Sequence, residues 1–147
     1  MMDALIKRLK RSEGLRLKPY KCPAGKWTIG YGHNLEAAGE EIPSSITIEQ
    51  ANAYLYADVA RAKQQCELLI EGFLALDEVR QGVLVDMCFN MGINGLLKFK
   101  ATLTYIKNGD YSKAADQMLK SLWAKQVGPR ARELSKIMKE GVIEELD

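Results

Sequence analysis

The segment SEGLRLKPYKCPAGKWTIGYGHN, residues 12–34, decides the fold class of this chain. It contains two β-prone pieces, LRLKPY and WTIGYGH, which are separated by proline and glycine residues. Such pieces predict a small twisted sheet or hairpin between residues 15 and 46. A sheet of this size is marginally stable by itself, so we expect helices to pack against it.

Helical patterns surround this segment on both sides. Apolar residues recur at helical spacing in residues 3–11, and we expect that helix to end near Gly14. Thr47 and Gln50 form a capping-box pattern that opens a helix of about residues 47–70. Residues 77–91 are apolar on nearly all sides and predict a buried central helix. Three further helices are predicted, and the fold class is α+β, mainly α-helical; their ranges are 96–107, 111–124 and 129–140.

Composition places the chain among ordinary globular domains. Its 147 residues fit one domain, and 21 Lys and Arg against 19 Asp and Glu leave a formal charge of +2. This balance gives no support for a nucleic-acid partner or for strong attraction to a membrane. Residues 7–26, however, hold eight basic residues against a single acid, Glu13. Glu13 therefore lies in a basic neighbourhood.

The cysteines and the first residues of the chain indicate in which cellular compartment the protein is made. The three cysteines lack CxxC spacing, which fits a reduced compartment better than a disulfide framework, although a disulfide stays an open alternative. The first residues, MMDALIKRLKRSEG, lack the apolar run of a signal peptide, and no segment approaches the roughly 18 apolar residues of a membrane helix. We therefore expect synthesis in the cytoplasm and no stable membrane association. The sequence carries no signal for an oligomer, so a monomer is the default expectation.

Three residues of the opening segment are candidates for chemistry. Glu13 follows the first helix, Cys22 lies at the end of the first β-prone piece, and Thr28 lies in the second. A hairpin could bring all three side chains to one cleft. The alternative is a solvated glutamate, a buried cysteine that acts as a small apolar residue and an ordinary strand threonine. Spacing alone leaves both interpretations open.

The same segment also carries a resemblance to a known family. The pattern E-G-x-R-L-x-x-Y followed by G-x-x-T-I-G-Y-G-H resembles the active-site block of the phage-type lysozymes, glycoside hydrolase family 24. Residues 84–92, 110–123 and 128–132 resemble later parts of the same family. The resemblance implies a single lysozyme domain over 1–147. It would have a lobe at 12–58 with a small sheet, a connecting helix at about 47–70, and a helical lobe at 71–147 packed with helix 1–11.

The resemblance also implies an activity. A lysozyme of this family would be a muramidase that cuts the β-1,4 bond between N-acetylmuramic acid and N-acetylglucosamine in peptidoglycan, without a cofactor or a metal. Glu13 takes the position of the general acid and Thr28 that of the water-holding threonine. Cys22 stands where the family usually has an aspartate. This departure leaves the role of the second catalytic group open among water-positioning group, general base and nucleophile.

Other residues receive roles through the same resemblance. His33 is expected to form a structural pair with Asp58, and Arg130 is expected beside Glu13. Phe89 as an ordinary core residue is an equally good interpretation. The predicted sugar contacts are Asn34, Phe89, Asn90, Thr102 and Gln117.

Two alternatives to a working muramidase remain at this level. The chain could be a catalytically lapsed homologue that binds peptidoglycan, although the presence of both Glu13 and Thr28 argues against this. Cysteine–histidine chemistry is the other alternative, as a thiol protease with Cys22 and His33 or as a zinc site with Cys66 and Cys88, but neither spacing matches a known signature. For an endolysin without a signal peptide, the family resemblance implies dependence on a holin that permeabilises the membrane.

Overall fold

A computed structural model of the protein describes residues 2–37, 39 and 41–144. Helices dominate it, and a small antiparallel sheet lies in the N-terminal part, so the predicted α+β, mainly α-helical class is confirmed. Within the described ranges, no helix combines the length and the apolar character that crossing a membrane would require. The helices are α1 Met2–Glu13, α2 Ile48–Leu69, α3 Glu78–Met91, α4 Ile93–Leu97, α5 Lys100–Lys107, α6 Tyr111–Leu119, α7 Leu122–Val127 and α8 Pro129–Glu140, with a 3₁₀ turn at Phe73–Ala75. The strands are β1 Arg16–Lys21, β2 Trp27–Gly30 and β3 His33–Asn34.

The chain divides into two compact units, Met2–Arg61 and Ala62–Asp147. Helix α1 and the sheet belong to the first unit, and helices α3 to α8 belong to the second. The single lysozyme domain with its lobes at 12–58 and 71–147, and the packing of helix 1–11 with the second lobe, stay predictions.

Helix α1 presents the apolar stripe that its sequence predicts. Leu5, Ile6 and Leu9 are buried, as is Arg8 between them. The helix ends at Glu13 because Gly14 takes a left-handed conformation with φ of +71°, and its N–H donates to the carbonyl oxygen of Lys10 at 3.0 Å. Glycine reaches this conformation without a steric penalty, which makes it the usual residue after a helix end.

The sheet is a meander in the order β1-β2-β3. In the register, Tyr20 lies opposite Thr28, and Thr28 lies opposite Asn34. Directly opposite residues share a face of a sheet, so these three side chains lie in one row. Helix α2 begins with the predicted capping box, which is confirmed by two reciprocal bonds: Thr47 N to Gln50 Oε1 at 2.8 Å and Gln50 N to Thr47 Oγ1 at 3.1 Å.

The second unit is organised around α3. Every residue from Gly82 to Cys88 is buried, as the all-round apolar pattern predicts, and Asp77 caps the helix by accepting from the N–H of Arg80. The Arg80 side chain then reaches the last turn of α8, where Nε donates to Met138 O at 2.7 Å and Nη2 donates to Lys139 O at 3.1 Å. These bonds satisfy carbonyl groups that a helix C-terminus otherwise leaves without a partner.

Two predicted helices are wrong in their extent. The range predicted at 96–107 is interrupted after Leu97, and α5 begins only at Lys100. The range predicted at 111–124 is interrupted after Leu119, because Ser121 is extended and its Oγ accepts from the N–H of Ala124 as the N-cap of α7. A serine before an apolar pair is a helix-start signal, and it overrides the continuous apolar periodicity of this segment.

Candidate active site

Glu13 is the last residue of α1 and is half-buried. Its carboxyl group lies against the turn between β2 and β3: an added Cβ on Gly32 would lie only 2.5 Å from Glu13 Oε1. Gly32 has φ of +73°, a conformation that side chains rarely adopt. The turn thus brings bare backbone, with no side chain between, next to the candidate acid.

Cys22 lies in the turn that follows β1. Its N–H donates to Lys26 O at 3.0 Å, and its carbonyl accepts from Gly25 N at 2.8 Å, so the turn is closed by backbone bonds. The backbone N–H of Lys26, assisted by that of Ala24 and by the Thr28 hydroxyl, lowers the pKa of the Cys22 thiol, against an opposing effect of burial. N–H groups that point at the sulfur favour the thiolate because they stabilise its negative charge.

Thr28 is buried in β2 with 4% of its surface exposed. Its Oγ1 donates to the carbonyl oxygen of Lys26 at 2.9 Å, and the same hydroxyl is one of the groups that lower the pKa of the Cys22 thiol. A hydroxyl group has one proton and two lone pairs. It can therefore donate to a Cys22 thiolate, or accept from a Cys22 thiol while it donates to Lys26.

Tyr20 is a further residue of this region, and its pKa responds to the charges of Glu13 and Cys22. The sequence analysis did not identify it. Burial, followed by the negative charge of Glu13, raises the pKa of Tyr20, with Arg16 opposing and Cys22 adding to the rise. The guanidinium of Arg16 lies 4.5 Å from the centre of the Tyr20 ring. The negative charges of Glu13 and Cys22, which come from different elements, thus both act to raise the pKa of Tyr20. The available signal was its position in the first β-prone piece, opposite the piece that carries Thr28.

His33 is in contact with Asp58, as predicted. Nδ1 of His33 lies 2.7 Å from Asp58 Oδ2, and the ring stacks on Tyr54 with 4.0 Å between centroids and 11° between planes. Only 4% of His33 is exposed. The contact joins β3 to α2; the structural rather than catalytic role of the pair stays a prediction.

Arg130 has a partner that sequence reasoning did not identify. Its Nε and Nη2 donate to Oδ1 of Asp86 at 3.1 and 2.9 Å, and Asp86 is fully buried in α3. A carboxylate without exposure in an apolar helix is costly unless it is paired, so Asp86 itself was the signal in the VLVDMCF stretch. The predicted pairing of Arg130 with Glu13 stays a prediction.

Comparison with known proteins identifies the family. A family model described as Phage lysozyme matches residues 10–139 of the chain. The chain belongs to the phage lysozyme family. It is therefore a lysozyme, a glycoside hydrolase, and peptidoglycan is the substrate that membership implies.

Individual relatives support this membership. An Endolysin of Acyrthosiphon pisum secondary endosymbiont phage 1 is 37% identical over 125 residues, which cover 83% of this chain and 80% of that protein. An Endolysin of Salmonella phage P22 is 32% identical over 122 residues, with 82% and 80% covered. The Pre-baseplate central spike protein Gp5 of Enterobacteria phage T4 is 32% identical over 163 residues, but the match covers 28% of it and 96% of this chain.

The predicted sugar contacts of this lysozyme differ in their surroundings. Asn34 Oδ1 accepts from the N–H groups of Glu36 and Ala37 at 2.9 and 3.0 Å, and Asn90 Oδ1 accepts from Trp123 Nε1 at 2.7 Å. Asn34 Oδ1 thus already accepts two bonds, so its amide nitrogen is the group left for a sugar hydroxyl, whereas Asn90 Oδ1 can accept one more bond. Phe89 and Gln117 are half-buried and Thr102 is buried. Their roles as sugar contacts stay predictions.

The remaining cysteines lie in the second unit and are buried. A hydrogen bond with the Cys88 sulfur, together with burial, raises the pKa of the Cys66 thiol. All three cysteines are free thiols. Among the described residues, no group of three or more His, Cys, Asp or Glu side chains is arranged to hold a metal ion.

Proposed function

We propose that this lysozyme is a muramidase that hydrolyses the β-1,4 bond between N-acetylmuramic acid and N-acetylglucosamine, with Glu13 as general acid. The observation that supports the proposal is local geometry within Met2–Arg61: the β2–β3 turn meets the carboxyl group of Glu13 at Gly32, and Lys26 O accepts both from the N–H of Cys22 and from the hydroxyl of Thr28. Glycoside hydrolysis requires a proton donor for the leaving oxygen and a second group at the anomeric carbon. Glu13 supplies the first, and Cys22 with Thr28 supplies the second.

Cys22 acts here as a general base or water-positioning group. As the bond from the anomeric carbon to the leaving oxygen breaks, Glu13 transfers its proton to that oxygen. A water molecule held by Thr28 and Cys22 forms the new bond to the anomeric carbon and gives its proton to the thiolate. The N–H groups at the turn support this role because they lower the pKa of Cys22, so that a larger fraction of the side chain is thiolate at neutral pH.

Further residues complete the proposal. Asn34, Phe89, Asn90, Thr102 and Gln117 contact the sugars, and Arg130 holds Glu13 in its ionised form until the substrate enters and excludes water. The alternative, a lapsed homologue that only binds peptidoglycan, predicts binding without turnover. Access to the wall depends on a protein that permeabilises the membrane, such as a holin; co-expression with and without a holin in a bacterial host tests this dependence.

The test of the proposal is product analysis on purified peptidoglycan. After reduction with borohydride, a muramidase leaves N-acetylmuraminitol at the new chain ends. New ends of N-acetylglucosaminitol, anhydromuramic ends, or bound peptidoglycan without any new ends would contradict the proposal.

Replacement of Glu13 by glutamine tests the assigned acid. Glu13→Gln preserves size but has no transferable proton, so we expect lysis to fall by about 10²-fold or more with the thermal transition retained. Glu140→Gln is a matched control, since Glu140 is likewise the last residue of its helix and is exposed. Substantial lysis by Glu13→Gln would show that Glu13 is not the general acid.

A further inference from the structure

We infer that Gly32 is a positioning residue for Glu13: the missing side chain at this turn is what allows the carboxyl group to lie where it does. The inference rests on the proposed function for its catalytic consequence. Its structural basis is independent, namely the contact between α1 and the β2–β3 turn within one compact unit.

The contact is steric and specific to Glu13. An added Cβ at position 32 would lie 2.5 Å from Oε1, 3.1 Å from Cδ and 3.4 Å from Cγ of Glu13, and these are the three nearest atoms. Ordinary van der Waals contact begins at about 3.4 Å, so the carboxyl group would have to move by about 1 Å. A displacement of this size at a reacting group can lower a rate by about 10²-fold.

Relief of this contact falls on the Glu13 side chain, because the atoms that an added Cβ would meet all belong to its flexible end. Glu13 is the final residue of α1, and this helix is held in place by its buried residues Leu5, Ile6 and Leu9. On the other side, Tyr31 is buried beside Gly32, and a Cβ added to Gly30 would lie 3.4 Å from the Cβ of Ala51 in α2. Both the helix and the turn are therefore anchored, and the Glu13 side chain is the part that would rotate away.

Two glycines provide controls for backbone strain. Gly109 and Gly39 have φ of +80° and +64°, close to the +73° of Gly32, but an added Cβ at either position meets nothing within 4 Å. Alanine at all three positions thus adopts an unfavourable conformation, whereas only alanine at position 32 also meets Glu13. Any excess effect of Gly32→Ala over the controls measures the contact.

The kinetic experiment compares Gly32→Ala with Gly109→Ala and Gly39→Ala. We expect kcat on a soluble chitooligosaccharide or wall fragment to fall about 10²-fold for Gly32→Ala, with KM within a few-fold of the parent value. The two controls keep the parent kcat. A Gly32→Ala enzyme whose kcat equals that of the controls overturns the inference, even if Glu13→Gln is inactive and the proposed function stands.

A double-mutant cycle on thermal stability tests the contact without using activity. Gly32→Ala should lower Tm more in the parent than in a Glu13→Ala background, where the obstructing side chain is gone. In that background, its effect should match that of Gly109→Ala. Equal Tm losses in both backgrounds overturn the inference.

The cycle also covers a variant that fails to fold. If Gly32→Ala has no cooperative transition, its recovery in Gly32→Ala/Glu13→Ala supports the contact, and failure of both overturns it because strain alone is then responsible. Failure of the proposed function has a different signature: Glu13→Gln would lyse walls while the Tm coupling persists.

Discussion

At the scale of single residues, Cys22 is the feature that sets this lysozyme apart from the aspartate pattern its family resemblance implies. Free thiols titrate near pH 8.5 and carboxyl groups near pH 4, so a thiolate beside a protonated acid is a minor species without help from the site. The backbone N–H of Lys26, with that of Ala24 and the Thr28 hydroxyl, gives such help by lowering the pKa of Cys22. The turn therefore compensates in part for the exchange of carboxylate for sulfur.

Substitution of Cys22 tests whether the sulfur takes part in catalysis. We expect Cys22→Asp to keep or raise activity and to extend it toward acidic pH, because a carboxylate is ionised where a thiol is not. Cys22→Ala should fall well below both. The check is a pH profile of wall lysis for the three proteins. Equal lysis by Cys22→Ala and the parent would show that the sulfur takes no part in catalysis.

Alkylation measures the ionisation of Cys22 directly. Since the pKa of this thiol is lowered, the rate of inactivation by iodoacetamide should rise with pH with a midpoint below that of the same thiol in the unfolded protein. A depressed folded pKa also means that ionised Cys22 adds stability at pH values above the unfolded pKa, and that this contribution is lost as pH falls through the folded pKa. The measurement uses a variant that carries both Cys66→Ala and Cys88→Ala, so that Cys22 is the only thiol left to react. A midpoint equal to or above that of the unfolded protein would contradict the assigned role of the turn.

His33 illustrates a residue whose contacts favour a structural role. Its hydrogen bond with Asp58 and its stacking on Tyr54 attach the sheet to α2. We expect His33→Asn to lower the free energy of unfolding by about 1.5–3 kcal/mol, the range for hydrogen bonds to charged groups, with activity retained below the melting range. Thermal melts beside lysis assays at 20 °C check this. A stable but inactive His33→Asn would instead indicate a catalytic histidine.

At the scale of elements, the ion pair between α3 and α8 is the clearest point of energetic sensitivity. Asp86 is fully buried, and the Arg130 side chain is 12% exposed, so neither charge is well hydrated. Removing one partner of a buried pair leaves the other charge uncompensated, which costs far more than the pair itself contributes.

Asp86→Asn should accordingly destabilise the protein by about 3–5 kcal/mol. The matched control is Glu71→Gln, which removes the same charge from the pair between Lys107 and Glu71, whose side chains are 46% and 79% exposed. Exposed pairs contribute about 0–1 kcal/mol, so this control should leave stability nearly unchanged. Urea denaturation of both variants measures the difference; similar losses would show that burial does not decide the strength of these pairs.

Several elements were predictable because their signals are local. The capping box at Thr47, the glycine that ends α1 and the apolar α3 depend on residues within one or two turns of each other. The breaks after Leu97 and Leu119 were missed because a continuous apolar periodicity concealed them, although Ser121 carried a cap signal.

At the scale of the whole molecule, the sequence by itself determined the α+β class, most helix positions, the phage lysozyme family and the candidate residues Glu13, Cys22 and Thr28. These conclusions depend on composition, periodicity and a dense motif, all of which are read along the chain. Tertiary structure alone decided that Gly32 lies against Glu13 and that Arg130 donates hydrogen bonds to Asp86. It also decided that the charges of Glu13 and Cys22 raise the pKa of Tyr20. The physical reason is distance along the chain: Asp86 and Arg130 are 44 residues apart, and Gly32 meets Glu13 through a turn geometry that no local propensity specifies.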